Sequence, residues 1–291
     1  MGTGYSEPTQ EHYDMFYSTM LEHISEHPNF VSKFDIGIDE SLLKYSGTDS
    51  NAQLMAYSNE LLTKVPGYIA RLGSSLGPIT SAPNAVGIGA LVISMIMEIC
   101  ILSTTQTNDN PYSMLQRIFG EEKASSVRDT MSEYLNRHQT FIDNEQRLRE
   151  ELRRLEAQLS NHLTILRNSL LHDGQMGTRG FKIWVNGASF HLQMLIHEAR
   201  LNPQTGKRAS AYQTAITRAI SSYLQNLDDL LKKFKTFIRT GEPQGEKGDF
   251  LDYLFLNYEP ISGLKSHFLN VNNNLLTLIK QHDTFTLPSR N

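Results

Sequence analysis

One continuous apolar stretch constrains the fold of this chain more than any other feature of its sequence. The 18 residues from Ala85 to Leu102, AVGIGALVISMIMEICIL, contain a single charge, Glu98, and no proline. As a helix this run would be about 27 Å long, close to the roughly 30 Å hydrocarbon core of a bilayer. Its larger apolar side chains are candidates for membrane insertion: Val86, Ile88, Leu91, Val92, Ile93, Ile96, Ile99, Ile101 and Leu102.

The sequence leaves three interpretations of the apolar run open. It can be a constitutive single membrane span. It can be the central helix of a bundle, because a helix that is apolar on all sides is expected to be buried there. It can also be sheltered in the folded protein and released into a bilayer, with the Gly/Ser/Pro-rich stretch 73–84 (GSSLGPITSAPN) before it as the hinge.

The rest of the chain predicts an all-α fold. Apolar residues recur at helical spacing in several long segments, and no alternating run typical of a strand appears. We expect one elongated helical bundle with long amphipathic helices around a central apolar helix. Its segments are the N-terminal helices in 1–72, the joint and apolar helix in 73–103, a long coiled-coil-like helix in 111–172, amphipathic helices in 180–241 and short C-terminal helices in 250–291.

Seven leucines in the predicted long helix form a seam, mostly at alternating steps of four and three residues. Such a seam packs within an antiparallel bundle, or it provides a surface for a protein partner or for self-association. The amphipathic face of 212–238 is a second surface of this kind. The seam residues are Leu148, Leu152, Leu155, Leu159, Leu163, Leu166 and Leu170.

Composition narrows the classes of protein and partner. A single cysteine, Cys100, excludes an internal disulfide framework. No apolar signal segment occurs at the N-terminus, so we expect no cleaved signal peptide and a membrane-associated or otherwise cytoplasmic protein. Residues 1–110 carry a net charge of −8 and residues 111–291 a net charge of +4. The basic part is too mixed for the concentrated stripe that nucleic acid needs, so no nucleic-acid partner is predicted.

Sequence motifs that would indicate a metal site, a cofactor site or an enzyme are weak in this chain. His23, Glu26 and His27 match the H-x-x-E-H zinc pattern, but a third ligand is missing, so we predict neither a metal nor a cofactor site. No phosphate-binding glycine loop or Ser/His/Asp arrangement occurs, and no enzyme activity is predicted. Gly2, in MGTGYS, is a candidate for lipidation. Trp184 is expected to anchor helix packing.

The order of these segments carries a resemblance. A GSSLGP-type joint, an apolar segment and then long amphipathic helices resemble the plan of α-helical pore-forming toxins of the cytolysin A and haemolysin BL type, and also the apolipoprotein L group. The segments 112–142 and 180–203 resemble a group of helical bony-fish proteins that has no established activity. The plan of the toxins implies a helical, membrane-active protein.

These observations predict a membrane-associated helical protein that contacts lipid through a single span or a releasable apolar helix. Pore formation or another perturbation of the membrane is the activity that the resemblance implies. The alternative is a soluble, coiled-coil-like scaffold that mediates protein–protein interaction through the leucine seam and the face of 212–238.

Overall fold

The computed structural model describes residues 9–39, 42–43, 52, 56, 126–141, 144–201, 207–240 and 247–280. These residues are mostly helical and contain no strand, which confirms the all-α prediction. Among them, no helix combines the length and the apolar character needed to cross a membrane. The apolar run Ala85–Leu102 and the lipidation candidate Gly2 lie outside the described residues.

The described helices pack into one bundle. In chain order they are α1 (Gln10–Ser25), α2 (Pro28–Phe34), α3 (Ser126–Phe141), α4 (Glu145–His172), α5 (Thr178–Leu201), α6 (Lys207–Thr240), α7 (Lys247–Asn257), α8 (Glu259–Asn273) and α9 (Leu275–Lys280).

The single long helix predicted over 111–172 is wrong, because the chain turns between α3 and α4. Asn144 caps α4: its side-chain oxygen accepts a hydrogen bond from the backbone N–H of Arg147 at 3.0 Å. The turn lets α3 fold back along α4, so that the Thr130 hydroxyl reaches Nδ1 of His162 at 3.0 Å. Because the amphipathic pattern continues on both sides of the turn, the sequence alone predicted one continuous helix.

Helices α4 and α5 form an antiparallel hairpin. The predicted end of α4 is confirmed: the helix stops at His172, and Gly174 adopts the left-handed φ of 72° that lets the chain reverse. Leu170 then faces Gly180, and Leu163 faces Gly187 one heptad further along α5. Because these glycines have no side chains, the two helices approach closely along this line.

Helix α5 occupies the centre of the described bundle. Helices α3, α4, α6 and α9 all pack against it, and all residues from Trp184 to Met194 are buried. Phe181 lies edge-on to Phe234 of α6 with ring centroids 5.3 Å apart. The sequence analysis assigned the central position to the apolar run, whereas in the described residues a polar-containing helix holds it.

We expect Gly187→Ala to destabilise the bundle. An added Cβ would lie 2.7 Å from Cγ1 of Val127 and 2.8 Å from Cδ2 of Leu163. Overpacking costs about 1–3 kcal/mol, against a gain of up to about 1 kcal/mol in helix propensity. Urea unfolding should therefore show a lower free energy of unfolding. Gly177→Ala is the control, because no atom lies within 4 Å of its added Cβ. Equal stability of both variants would contradict the close approach.

Candidate functional site

The leucine seam predicted as an interaction surface lies inside the bundle. Six of its seven leucines are buried, and Leu166 packs partly buried against the same core. The face of α6 is covered in the same way, through Ile216, Ile220, Tyr223, Leu227, Leu230, Phe234 and Ile238. In the folded bundle these side chains contact the chain's own helices, and so they are not displayed to a partner.

The histidines of the zinc-like pattern do not share one helix. Helix α1 ends at Ser25, and His27 lies beyond it as the N-cap residue of α2. In the part of the chain that the structure describes, no group of three or more His, Cys, Asp or Glu side chains is arranged to hold a metal ion.

A buried asparagine on α5 fixes the segment that follows α2. The Asn186 Oδ1 atom accepts a hydrogen bond from the backbone N–H of Asp39 at 2.8 Å, and its Nδ2 donates to the carbonyl of Gly37 at 3.1 Å. Asn186 is fully buried. Just beyond, Leu42 is also fully buried, and its N–H donates to the carbonyl of Asp39. The chain is therefore attached to α5 up to residue 42.

Gly187, the next residue of α5, contacts the start of α3. Val127, in the first turn of α3, is 2% exposed and packs directly against Gly187. Thr130, one turn later, is buried as well. This second attachment is apolar and depends on the missing side chain of Gly187, whereas the first depends on the amide of Asn186.

The two attachments lie on either side of the chain that contains the apolar run. Asp39, before it, contacts Asn186 of α5, and Val127, after it, packs against the next residue, Gly187. Consecutive Cα atoms are about 3.8 Å apart, so both contacts lie at one turn of one helix. The residues on both sides of the intervening segment are therefore attached to the same turn of α5.

Helix α5 also buries a row of polar side chains, each paired with a different neighbouring helix. Tyr134 of α3 contacts Nδ1 of His197 at 2.5 Å, and His267 of α8 contacts Ser189. Glu156 of α4 pairs with Nε2 of His191 at 2.7 Å. Because a buried polar group must find a partner, each pair fixes where one helix docks on α5.

The tautomer of His191 follows from its two partners. Burial, together with the charge of Glu156, raises the pKa of the Tyr223 hydroxyl above its usual range, so this hydroxyl stays protonated. It donates to Nδ1 of His191 over 3.0 Å. The ring proton then lies on Nε2, where it donates to the carboxylate of Glu156.

His267 is the histidine that burial perturbs most clearly. Its Nε2 atom lies 2.7 Å from Oγ of Ser189, and its Nδ1 atom is buried without a hydrogen-bond partner in the described ranges. Burial lowers the pKa of His267 to about 4, because the charged ring would lose its hydration. The ring is therefore neutral at pH 7.

The sequence analysis did not identify Asn186, Gly187 or the buried histidines as site residues. An Asn-Gly pair is normally a turn signal, and here it lies in the middle of a 24-residue helix. The available signal was the seven-residue spacing of Gly180 and Gly187 opposite a leucine seam of the same period.

No protein-family model, no curated protein and no solved structure matches this chain.

We expect Asn186→Ala to loosen the first attachment selectively. The change leaves the N–H of Asp39 and the carbonyl of Gly37 without their partner, at a cost of about 1–3 kcal/mol. Hydrogen exchange should become faster in a peptide covering 34–43 and stay slow in α6. Asn257→Ala is the control, because Asn257 is exposed and bonds only the carbonyl of Tyr253. Unchanged exchange at 34–43 would contradict the attachment.

We expect the bundle to lose stability in acid through His267. Its pKa is about 4 in the folded protein and about 6.5 in the unfolded chain, so the unfolded chain binds more protons between these values. The contribution is complete above about pH 6.5 and falls by about 3 kcal/mol towards pH 4. Chemical unfolding at several pH values should show this slope. His267→Leu should flatten it, and the exposed control His172→Gln should not. An equal slope in His267→Leu would exclude this cause.

Proposed function

We propose that this protein associates with membranes through the apolar run Ala85–Leu102, which the bundle holds at both ends as a releasable segment. One observation carries the proposal: the described residues that flank the run in the chain, Asp39 and Val127, contact α5 at Asn186 and at Gly187. An apolar segment whose flanking residues stay attached to α5 can contact a bilayer while the bundle stays folded.

The shared attachment to α5 favours a releasable segment over a constitutive single span. A chain whose two ends lie on the same side of a bilayer crosses that bilayer an even number of times or not at all. The run is the single apolar stretch of its length in the sequence, so one crossing would require Asp39 or Val127 to leave α5. The proposed segment therefore enters and leaves the membrane by the same face.

The sequence of the run fits a segment that changes its surroundings. Glu98 lies near its C-terminal end, where a charge costs much less than at the centre of a bilayer. The Gly/Ser/Pro-rich stretch 73–84 supplies the hinge on one side, and the polar stretch 103–111 follows on the other. Pore formation, or a local disturbance of lipid packing, is the activity we propose for the inserted run.

The scaffold alternative now depends on a different surface. The leucine seam and the face of 212–238 are covered within the chain. Helix α1, in contrast, has no buried residue and exposes Tyr13, Phe16 and Met20 along one stripe. Exposed apolar stripes of this kind mark contacts with proteins or with membranes. A protein partner, if the run does not bind lipid, would bind here.

Two native probes allow a direct test. Cys100 is the only cysteine and lies in the run, so a polarity-sensitive thiol dye reports the surroundings of the run. Trp184 is the only tryptophan and is 1% exposed in the bundle, so its emission reports whether the bundle is intact. With vesicles of zwitterionic and anionic phospholipid, the dye should show transfer to lipid while the tryptophan emission stays unchanged.

Ile93→Asp, in the labelled protein, should abolish the dye response and the release of trapped fluorophore. An aspartate near the middle of a membrane helix costs about 2.5–3.5 kcal/mol, which lowers insertion on the order of 100-fold. Ile165→Asp is the matched control, because Ile165 is 55% exposed on α4 and outside the run. Equal responses of both variants would contradict insertion. A parallel change of tryptophan emission would show that the bundle opens and that the ends do not stay attached.

A further inference from the structure

A polar cleft lies between α4 and α6, above the central helix. Its volume is about 140 Å³, and Trp184 and His191 of α5 contribute to its lining. Each flanking helix contributes one face at helical spacing, with a serine followed by a larger polar residue, seven residues later on α4 and four residues later on α6. These residues are Ser160 and Arg167 on α4, and Ser222 and Asn226 on α6. The small residues leave the space, and the larger ones close one end of it.

Arg167 gives the cleft its charge. Its Nη1 atom donates to Oδ1 of Asn226 at 2.7 Å, which fixes the guanidinium against α6. Its Nε atom is buried and has no hydrogen-bond acceptor among the described residues. No carboxylate belongs to the lining: the nearby Glu156 is engaged by His191. Arg167 therefore lines a cleft that holds no negative side chain, so an anion in the cleft would be attracted to it.

We propose that the α4–α6 cleft binds a small organic carboxylate, with Arg167 as the anchoring cation. A guanidinium is a planar cation that suits the geometry of a carboxylate, and Arg167 is the one Lys or Arg among the residues that line the cleft. The amide of Asn226 uses its oxygen for Arg167, so its Nδ2 is a further donor beside the ligand.

The volume and the apolar lining of the cleft limit the size and chemistry of the rest of the ligand. A volume of about 140 Å³ corresponds to roughly four or five water molecules, which fits a carboxylate with a short carbon chain. Trp184, Leu163 and Ala219 provide apolar surface for that chain. The cleft is formed entirely by the described helices, so this inference stands apart from the membrane proposal.

The position of Trp184 makes binding measurable without a label. Its emission should change saturably with sodium butyrate, with half-saturation on the order of 1 mM for so small a ligand. Neutral butyramide at equal concentration, and sodium chloride at equal ionic strength, should give no saturable change. Sodium phosphate distinguishes a site for carboxylates from a site for any oxyanion.

Two variants test the roles of charge and space. Arg167→Gln should weaken butyrate binding at least tenfold, whereas Arg218→Gln, an exposed position on α6 outside the lining, should bind like the parent protein. Ser222→Leu fills the cleft at an exposed position, keeps Arg167 and should also prevent binding. Circular dichroism confirms that each variant is folded.

The possible results of these binding measurements support or overturn the proposal as follows. Saturable binding of butyrate that Arg167→Gln and Ser222→Leu both remove supports the proposal. Equally tight binding of phosphate would overturn the assignment to carboxylates, and equal effects of butyramide would overturn the role of charge. If Ser222→Leu folds and binds butyrate unchanged, the ligand does not lie in this cleft.

Discussion

The close approach of α4 to α5 is the constraint on which the rest of the bundle depends. Leu163 and Leu170 press against Gly187 and Gly180, at distances that leave no room for a Cβ. This contact brings α5 deep enough for α3 and α6 to close over it from the other sides. A helix in that position loses nearly all its solvent contact, so several of its buried polar side chains pair with neighbouring helices.

Those polar groups make the packing of the bundle specific. Apolar contacts alone tolerate small shifts of one helix along another, whereas a buried hydrogen bond exists at one register. Helix α5 carries such bonds to four neighbouring helices: Tyr134 from α3, Glu156 from α4, Tyr223 from α6 and His267 from α8. Asn186 does the same for the segment after α2. The central helix therefore specifies the position of each element around it.

The same arrangement is the basis for both proposed functional surfaces. On one side, Asn186 and Gly187 contact Asp39 and Val127, which flank the apolar run in the chain. Between α4 and α6, small residues leave a cleft that ends at Arg167. The first depends on Asn186 and on the missing side chain of Gly187 in α5, whereas the cleft depends on residues of α4 and α6. Neither is visible as a local motif.

The sequence by itself determined the fold class and the spacing of the leucine seam, because helical periodicity is a local signal. It also identified the apolar run, whose length and composition limit its surroundings to lipid or protein. Only the tertiary structure decided that 111–172 turns back at Asn144, that α5 is central, and that Asp39 and Val127 meet on it. These features depend on contacts between residues far apart in the chain, and periodicity contains no information about which amphipathic faces meet.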